Sequence, residues 1–165
     1  MRSAHFKTGW IFLWITVVVF IVDRLTKELA RIYLDPYVPI AVIPSLNFTL
    51  AYNTGAAFSF LNTGSFWPNI LFGSITAVIS IIIIKWLYSL PRQEYMINTA
   101  LTLILGGALG NLWDRIQFHH VIDFIDCYVN SWHWPIFNVA DAAVSIGAVL
   151  LMGHWFRARV YSTRE

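Results

Sequence analysis

The chain has 165 residues, 58% hydrophobic, 16% aromatic and only 12% charged, with a mean hydropathy of +0.62; soluble domains carry about twice that charged fraction, which excludes an ordinary water-soluble fold. A net charge of +2 with no block of basic residues excludes nucleic-acid binding. The single cysteine, Cys127, excludes an internal disulfide and a Cys-cluster metal site, and is read as a packing residue.

Arg2 and Lys7 precede an apolar run over residues 10–22, as in a signal sequence. No small-x-small cleavage site follows it and more long apolar stretches come later, so the run is read as a retained first span. A helical span needs about 20 mostly apolar residues, and four stretches qualify, at about 9–29, 67–88, 97–113 and 135–156. The expected architecture is α-helical and membrane-embedded, a single integral membrane domain over residues 1–165. Beyond Val22 the first span carries Asp23, Thr26 and Lys27 at i, i+3 and i+4, one helix face that must look into the bundle or at the interface.

Residues 32–66, between the first and second spans, are more than a linker. Leu46, Phe48, Leu50 and Tyr52 alternate with Asn47, Thr49, Ala51 and Asn53, the period of a strand with one apolar face, and "NTGAAF" (residues 53–58) follows as a turn. This predicts a small extracytoplasmic β-sheet on the membrane surface, with Trp67, Trp132 and Trp134 as interfacial anchors.

Charge asymmetry sets the orientation. The amino terminus, the link over residues 85–94 and the carboxyl tail hold seven basic residues against Glu94 and Glu165, while the other side holds four basic residues against seven acids. Both termini are therefore expected in the cytoplasm. Arg24, Lys27 and Arg31, just past the first span, pull the other way. With this orientation Asp23, Lys27, Asn111, Asp114, Arg115, Asp123, Asn138 and Asp141 all fall toward the outer membrane face.

Intramembrane acids face a partner or a watered cavity and mark function. Asp114 beside Arg115 reads as a structural ion pair or helix-end feature, and Asp23 with Lys27 as an architectural i, i+4 pair. Asp123 and Asp141 have no Lys or Arg within four positions. Brought close, two carboxylates cannot both ionise easily, and the resulting split suits general acid–base hydrolysis. Asp126 reads as a capping or water-facing residue. Asn53, Asn111 and Asn138 offer donors and acceptors without the cost of a charge; they either fix a substrate backbone or satisfy helix ends. Gly106, Gly107 and Gly110 permit close helix approach. His119, His120 and His133 lack ligand spacing, so they read as surface residues, and neither metal nor cofactor is expected. No GxSxG motif and no serine–lysine pair offers a nucleophile.

Five blocks, "DRLTK" (residues 23–27), "NTGAAF" (53–58), "GGALGNLWDR" (106–115), "VIDFI" (121–125) and "FNVADAAVSIG" (137–147), fall in order on the four spans. Together they resemble the bacterial lipoprotein signal peptidases, also called signal peptidase II. The resemblance covers about residues 10–156. It implies an intramembrane aspartic endopeptidase of the bacterial inner membrane, which removes signal peptides from prolipoproteins on the amino side of a diacylglyceryl-cysteine, toward the periplasm. By matching blocks it implies Asp123 and Asp141 as the catalytic pair; Asn53, Gly55, Asn111, Arg115 and Asn138 as contacting substrate or ordering the site; and Asp23 and Lys27 as structural. It further implies sensitivity to the cyclic peptide globomycin. The expected partners are prolipoprotein substrates and membrane lipids, with a monomeric enzyme.

Two other readings compete. A small proton-coupled transporter would use the same acids, but it needs polar residues continuing toward the cytoplasm, and residues 75–84 and 142–151 are nearly all apolar. A non-catalytic scaffold using the outer sheet leaves the acid pair unexplained.

Overall fold

The computed structural model describes residues 8–55 and 67–162. A 3-10 turn at Gly9–Phe12 leads into α1 (Leu13–Tyr33), then β1 (Ile40–Ile43) and β2 (Leu46–Asn53). These are followed by α2 (Trp67–Ser89), α3 (Tyr95–Phe118), β3 (Val121–Val129), β4 (Trp132–His133) and α4 (Val139–Ser162). Residues 56–58 of the expected turn, the rest of the outer segment to residue 66, and Arg2, Lys7, Arg164 and Glu165 lie outside the described residues, as do the side chains of Trp67 and Arg159.

Four helices are long and apolar enough to cross a membrane: Gly9–Tyr33, Asn69–Ser89, Tyr95–Phe118 and Val139–Arg157. The third helix runs past the expected residue 113 to Phe118. The fourth starts at Val139 rather than 135, because residues 135–138 are non-helical and Phe137 pairs with Ile125 of β3 instead.

Polarity runs inside out. The buried residues of α1 are Thr16, Asp23, Lys27 and Ala30, while Trp14, Val17, Ile21, Leu25 and Leu29 face outward. Lipid solvates the apolar face, and the polar groups find partners inside the bundle. The central helix is α3, which packs against α1, α2 and α4. Ile83, Leu87, Ile97, Leu101 and Leu105 form the apolar core between α2 and α3. A second core, Ala30, Leu50, Ile122 and Phe124, seats the sheet on the end of α1.

The sheet is antiparallel in the order β1-β2-β3-β4. Only half of it comes from the segment between the first two spans; β3 and β4 come from the link between the third and fourth. The expectation of a single apolar face on β2 is also corrected. Phe48 and Tyr52 are exposed, whereas Asn47 and Thr49 are buried. A β-bulge breaks the row: Phe48 pairs with Ile125 and Ala51 with Asp123, so Thr49 and Leu50 together oppose Phe124, and Leu50 and Tyr52 leave the face of Leu46 and Phe48. One extra residue inverts the facing of everything beyond it. Asn47 and Thr49 therefore share a face with Asp126, and Ala51 and Asn53 share the opposite face with Asp123.

Trp132 and Trp134 are exposed with ring centroids 5.8 Å apart. Of the three histidines near Asp123 in the sequence, His119 and His133 are exposed, while His120 is half-buried between Tyr52 and Phe118.

Candidate active site

The start of α4 is fastened to β3. The Phe124 and Ile125 N–H groups donate to the Phe137 carbonyl at 3.0 and 2.8 Å, and the Phe137 N–H donates to the Ile125 carbonyl at 3.1 Å. This pairing sets Asn138 beside Asp123. Asn138 caps α4: its side-chain carbonyl accepts the Asp141 N–H at 2.9 Å, and the Asp141 carboxylate accepts the Asn138 N–H at 3.2 Å. The reciprocal arrangement is a capping box written N-x-x-D.

Fully buried, Asn138 also reaches the other acid, its amide donating to Asp123 Oδ1 at 2.6 Å. Asn53 Nδ2 donates to Asp123 Oδ2 at 3.0 Å. Gly55 holds that amide in place: its N–H donates to Asn53 Oδ1 at 2.9 Å from a left-handed backbone, φ +87°, and a Cβ there would lie 2.8 Å from the Phe72 ring. From α3, Asn111 Nδ2 donates to Asp141 Oδ1 at 2.8 Å. Asp123 is buried, 2% exposed, and Asp141 is half-buried. Burial, followed by the charge of Asp141, pushes the Asp123 carboxyl up to about 6, against the hydrogen bonds from Asn53 and Asn138.

Behind this pair lies a charge cluster. Lys27 Nζ is 2.8 Å from both Asp23 Oδ2 and Asp114 Oδ2, and all three side chains are fully buried. Arg24 completes it with an ion pair to Asp114, giving two cations and two carboxylates. Asp23 Oδ1 accepts the Ala140 N–H at 2.9 Å, and Asp114 Oδ2 accepts the Ile122 N–H at 3.2 Å. The α4 N-terminus thus receives a carboxylate from α1, where helix dipole and unpaired N–H groups favour negative charge. Gly110 makes room, since a Cβ there would press on the Asp23 carboxylate.

Two sequence expectations change here. Asp114 pairs with Arg24 and Lys27, not with its neighbour Arg115, because consecutive helix residues point in different directions. Asp126 neither caps a helix nor faces water. It is 3% exposed and accepts from Asn47, Thr49 and His133 at 3.1, 3.2 and 2.7 Å. Three residues from Asp123 along a strand, it projects from the other face of the sheet.

Arg115 Nη1 donates to the Asn111 carbonyl at 3.2 Å, and its guanidinium lies 5.7 Å from the Phe72 ring. Its buried Nε makes no hydrogen bond among the described residues. With Asn69, Gly73, Leu112 and His119 it borders a cavity of about 380 Å3 between α2 and α3.

Sequence reading passed over the cap and the acid partner of Arg24. The spacing Asn138–Asp141 ahead of an apolar run carries the capping signal. Nothing local marks Arg24 as the partner of Asp114, ninety positions away. Arg24, Lys27 and Arg31, which pulled against the charge asymmetry, each have an acid partner, Arg31 pairing with Glu28 at 3.0 Å.

The arrangement is two carboxylates, one buried and one half-open, joined through a shared asparagine at the end of a membrane helix bundle. The family model described as Signal peptidase (SPase) II matches residues 15–157. A lipoprotein signal peptidase of Coxiella burnetii (strain RSA 331 / Henzerling II) is 48% identical over 154 residues, covering 93% of this chain and 94% of the relative. Its counterpart in Pseudomonas aeruginosa (strain UCBPP-PA14) is 50% identical over 149 residues, covering 89% and 88%. A bacterial membrane enzyme solved by the in meso method at 2.3 Å resolution superposes with a TM-score of 0.78 at 31% identity, covering 89% of this chain and 88% of that one. By sequence and by fold, this chain belongs to the signal peptidase II family.

Proposed function

We propose that this chain is an intramembrane aspartic endopeptidase that removes signal peptides from diacylglyceryl-modified prolipoproteins. It cleaves on the amino side of the lipidated cysteine, at the periplasmic face of the bacterial inner membrane, with both termini in the cytoplasm. The observation that carries this reading is the double engagement of Asn138, which bonds Asp123 through its amide and Asp141 through its backbone. Family membership supports the substrate class, and the carrier reading is left without support.

The chemistry follows from the two environments. Asp141, half-open and accepting N–H groups on both oxygens, serves as the carboxylate that takes a proton from water. The water oxygen bonds to the scissile carbonyl carbon while Asp123, whose carboxyl burial raises to about 6, donates to the carbonyl oxygen in the molecules that hold its proton. Collapse of the tetrahedral intermediate breaks the C–N bond. A proton passes to the departing nitrogen, leaving a carboxylate on the signal peptide and a free amine on the lipidated cysteine. Arg115, whose Nε makes no hydrogen bond among the described residues, and the Asn53 amide take the role of holding the substrate backbone. Asp23, Lys27 and Asp114 keep the α4 terminus in position.

The bilayer contributes specificity. Each buried methylene adds about 0.8 kcal/mol of anchoring, so a diacylated cysteine is concentrated in the membrane and held near its surface. Globomycin is read as an occupant of the same cleft, and the enzyme as a monomer.

The test is cleavage of a synthetic diacylglyceryl-cysteine precursor by the purified protein, beside the same peptide without lipid. Asp123→Asn and Asp141→Asn should each lose about 100- to 10,000-fold in rate while remaining folded in detergent. Substantial cleavage by either variant would refute the assignment.

A further inference from the structure

Lys27 does more than balance charge. Besides Asp23 and Asp114, its ammonium donates to Asn111 Oδ1 at 2.9 Å. The same oxygen accepts from Asn138 Nδ2 at 3.2 Å, and Asn111 Nδ2 faces Asp141 Oδ1 at 2.8 Å. All three contacts fix the amide in one sense. Turned over, Asn111 would set its NH2 against an ammonium and a second NH2, and its carbonyl against a carboxylate. Asn138 is fixed in turn: its carbonyl is taken by the Asp141 N–H, and its NH2 is shared among Asn111 Oδ1, Asp123 Oδ1 and the Ile122 carbonyl.

We propose that Lys27 is a positioning residue of the hydrolytic site, its ammonium setting the polarity of an Asn111–Asn138 amide relay so that both aspartates meet N–H donors and never amide carbonyls. An amide pair with no charge beside it has two senses of donation, and in the wrong one the Asn111 carbonyl faces the Asp141 carboxylate, acceptor against acceptor. The ammonium makes that sense prohibitive, because a buried cation facing an N–H donor loses its acceptor. The proposal rests on Asp123 and Asp141 being the catalytic pair. The charged groups around the relay are Asp23, Arg24 and Lys27 from α1, Asp114 and Arg115 from α3, Asp123 from β3 and Asp141 from α4.

The relay is tested in the full-length protein in detergent, with a lipidated peptide substrate. Lys27→Met alone leaves the buried Asp23 carboxylate without a cation, so it is combined with Asp23→Asn. That pair removes one charge of each sign, leaves the Asp114–Arg24 pair, and keeps an oxygen for the Ala140 N–H. The double variant should lose about tenfold or more in kcat with KM within about threefold. The acid limb of its kcat/KM profile should move up by about one pH unit, the size of one hydrogen bond to a charged group. Asn111→Asp gives an independent reading. Its new carboxylate keeps the bond to Lys27 but can donate to Asp141 only when protonated, so activity lost at neutral pH should partly return on acidification.

An unmoved acid limb in the double variant, or an Asn111→Asp loss that does not vary with pH, overturns the relay. A double variant that fails to fold leaves the decision to Asn111→Asp, whose cation and cap are intact. Asp123→Asn is run alongside: if it still cleaves, the catalytic pair itself is wrong, whereas an inactive Asp123→Asn beside an unshifted double variant condemns the relay alone.

Discussion

The Asn138 side-chain carbonyl accepts the Asp141 N–H at 2.9 Å, and the Asp141 carboxylate accepts the Asn138 N–H at 3.2 Å. One capping box therefore begins α4 and aims the acid. Asn138→Ala should cost about 1 kcal/mol through the lost cap. It should also lower kcat about 100-fold, because Asp123 loses its shortest hydrogen bond and the Asp141 N–H its acceptor. Thermal unfolding and peptide cleavage, measured on one preparation, separate the two effects; a lower Tm with unchanged kcat would leave Asn138 a cap and nothing more.

The Asp123 carboxyl, raised by burial and then by the charge of Asp141 to about 6, should be protonated below that pH and ionised above it. Its C=O stretch in infrared difference spectra should fade as pH rises through about 6 and be absent in Asp123→Asn. The folded state holds this proton more tightly than the unfolded chain does. The group's contribution to stability is thus complete below 3.8 and lost as pH rises through about 6, so the wild-type Tm should decline across that window more than that of Asp123→Asn.

Asp126 titrates in the opposite sense. Burial would raise it, but the hydrogen bonds from His133, Asn47 and Thr49 carry it below the ordinary carboxylate range. Its contribution is present above the unfolded value of 3.8 and is lost as pH falls through the lowered one. Asp126→Ala leaves the buried Asn47 and Thr49 side chains without their carboxylate, at about 1–3 kcal/mol. The variant should melt earlier at neutral pH yet cleave at close to the wild-type rate at 25 °C, since the residue faces away from Asp123. A loss of activity matching that of Asp123→Asn would contradict the two-faced sheet.

Gly110→Ala tests the seat of Asp23. The new methyl would lie 3.1 Å from the Asp23 carboxyl carbon and 3.4 Å from the Ala140 Cβ, so the carboxylate must leave the α4 terminus or the helices must part. Such overpacking costs about 1–3 kcal/mol, read as a lower Tm. Cleavage should fall with it, because α4 carries Asn138 and Asp141. A variant as stable and active as wild type would show that the helices part freely.

The membrane character, the four spans and the polar residues gathered toward one end were legible in the sequence, because lipid demands long apolar runs and makes every buried charge conspicuous. The alternation over residues 46–53 marked a strand correctly but not its buried face, since a bulge is an event of pairing and β3 lies seventy positions away. For the same reason half of the sheet went unforeseen.

The five blocks singled out Asp123 and Asp141 among nine acids. They could not say that Asp114 turns from Arg115 to Arg24 and Lys27, or that Asp126 is sealed on the far side of the sheet. Those outcomes depend on which groups meet after the chain has folded back on itself. A sequence states which side chains must find partners in a low-dielectric interior; only the packing of α1, α3, α4 and β3 decides which partners they find.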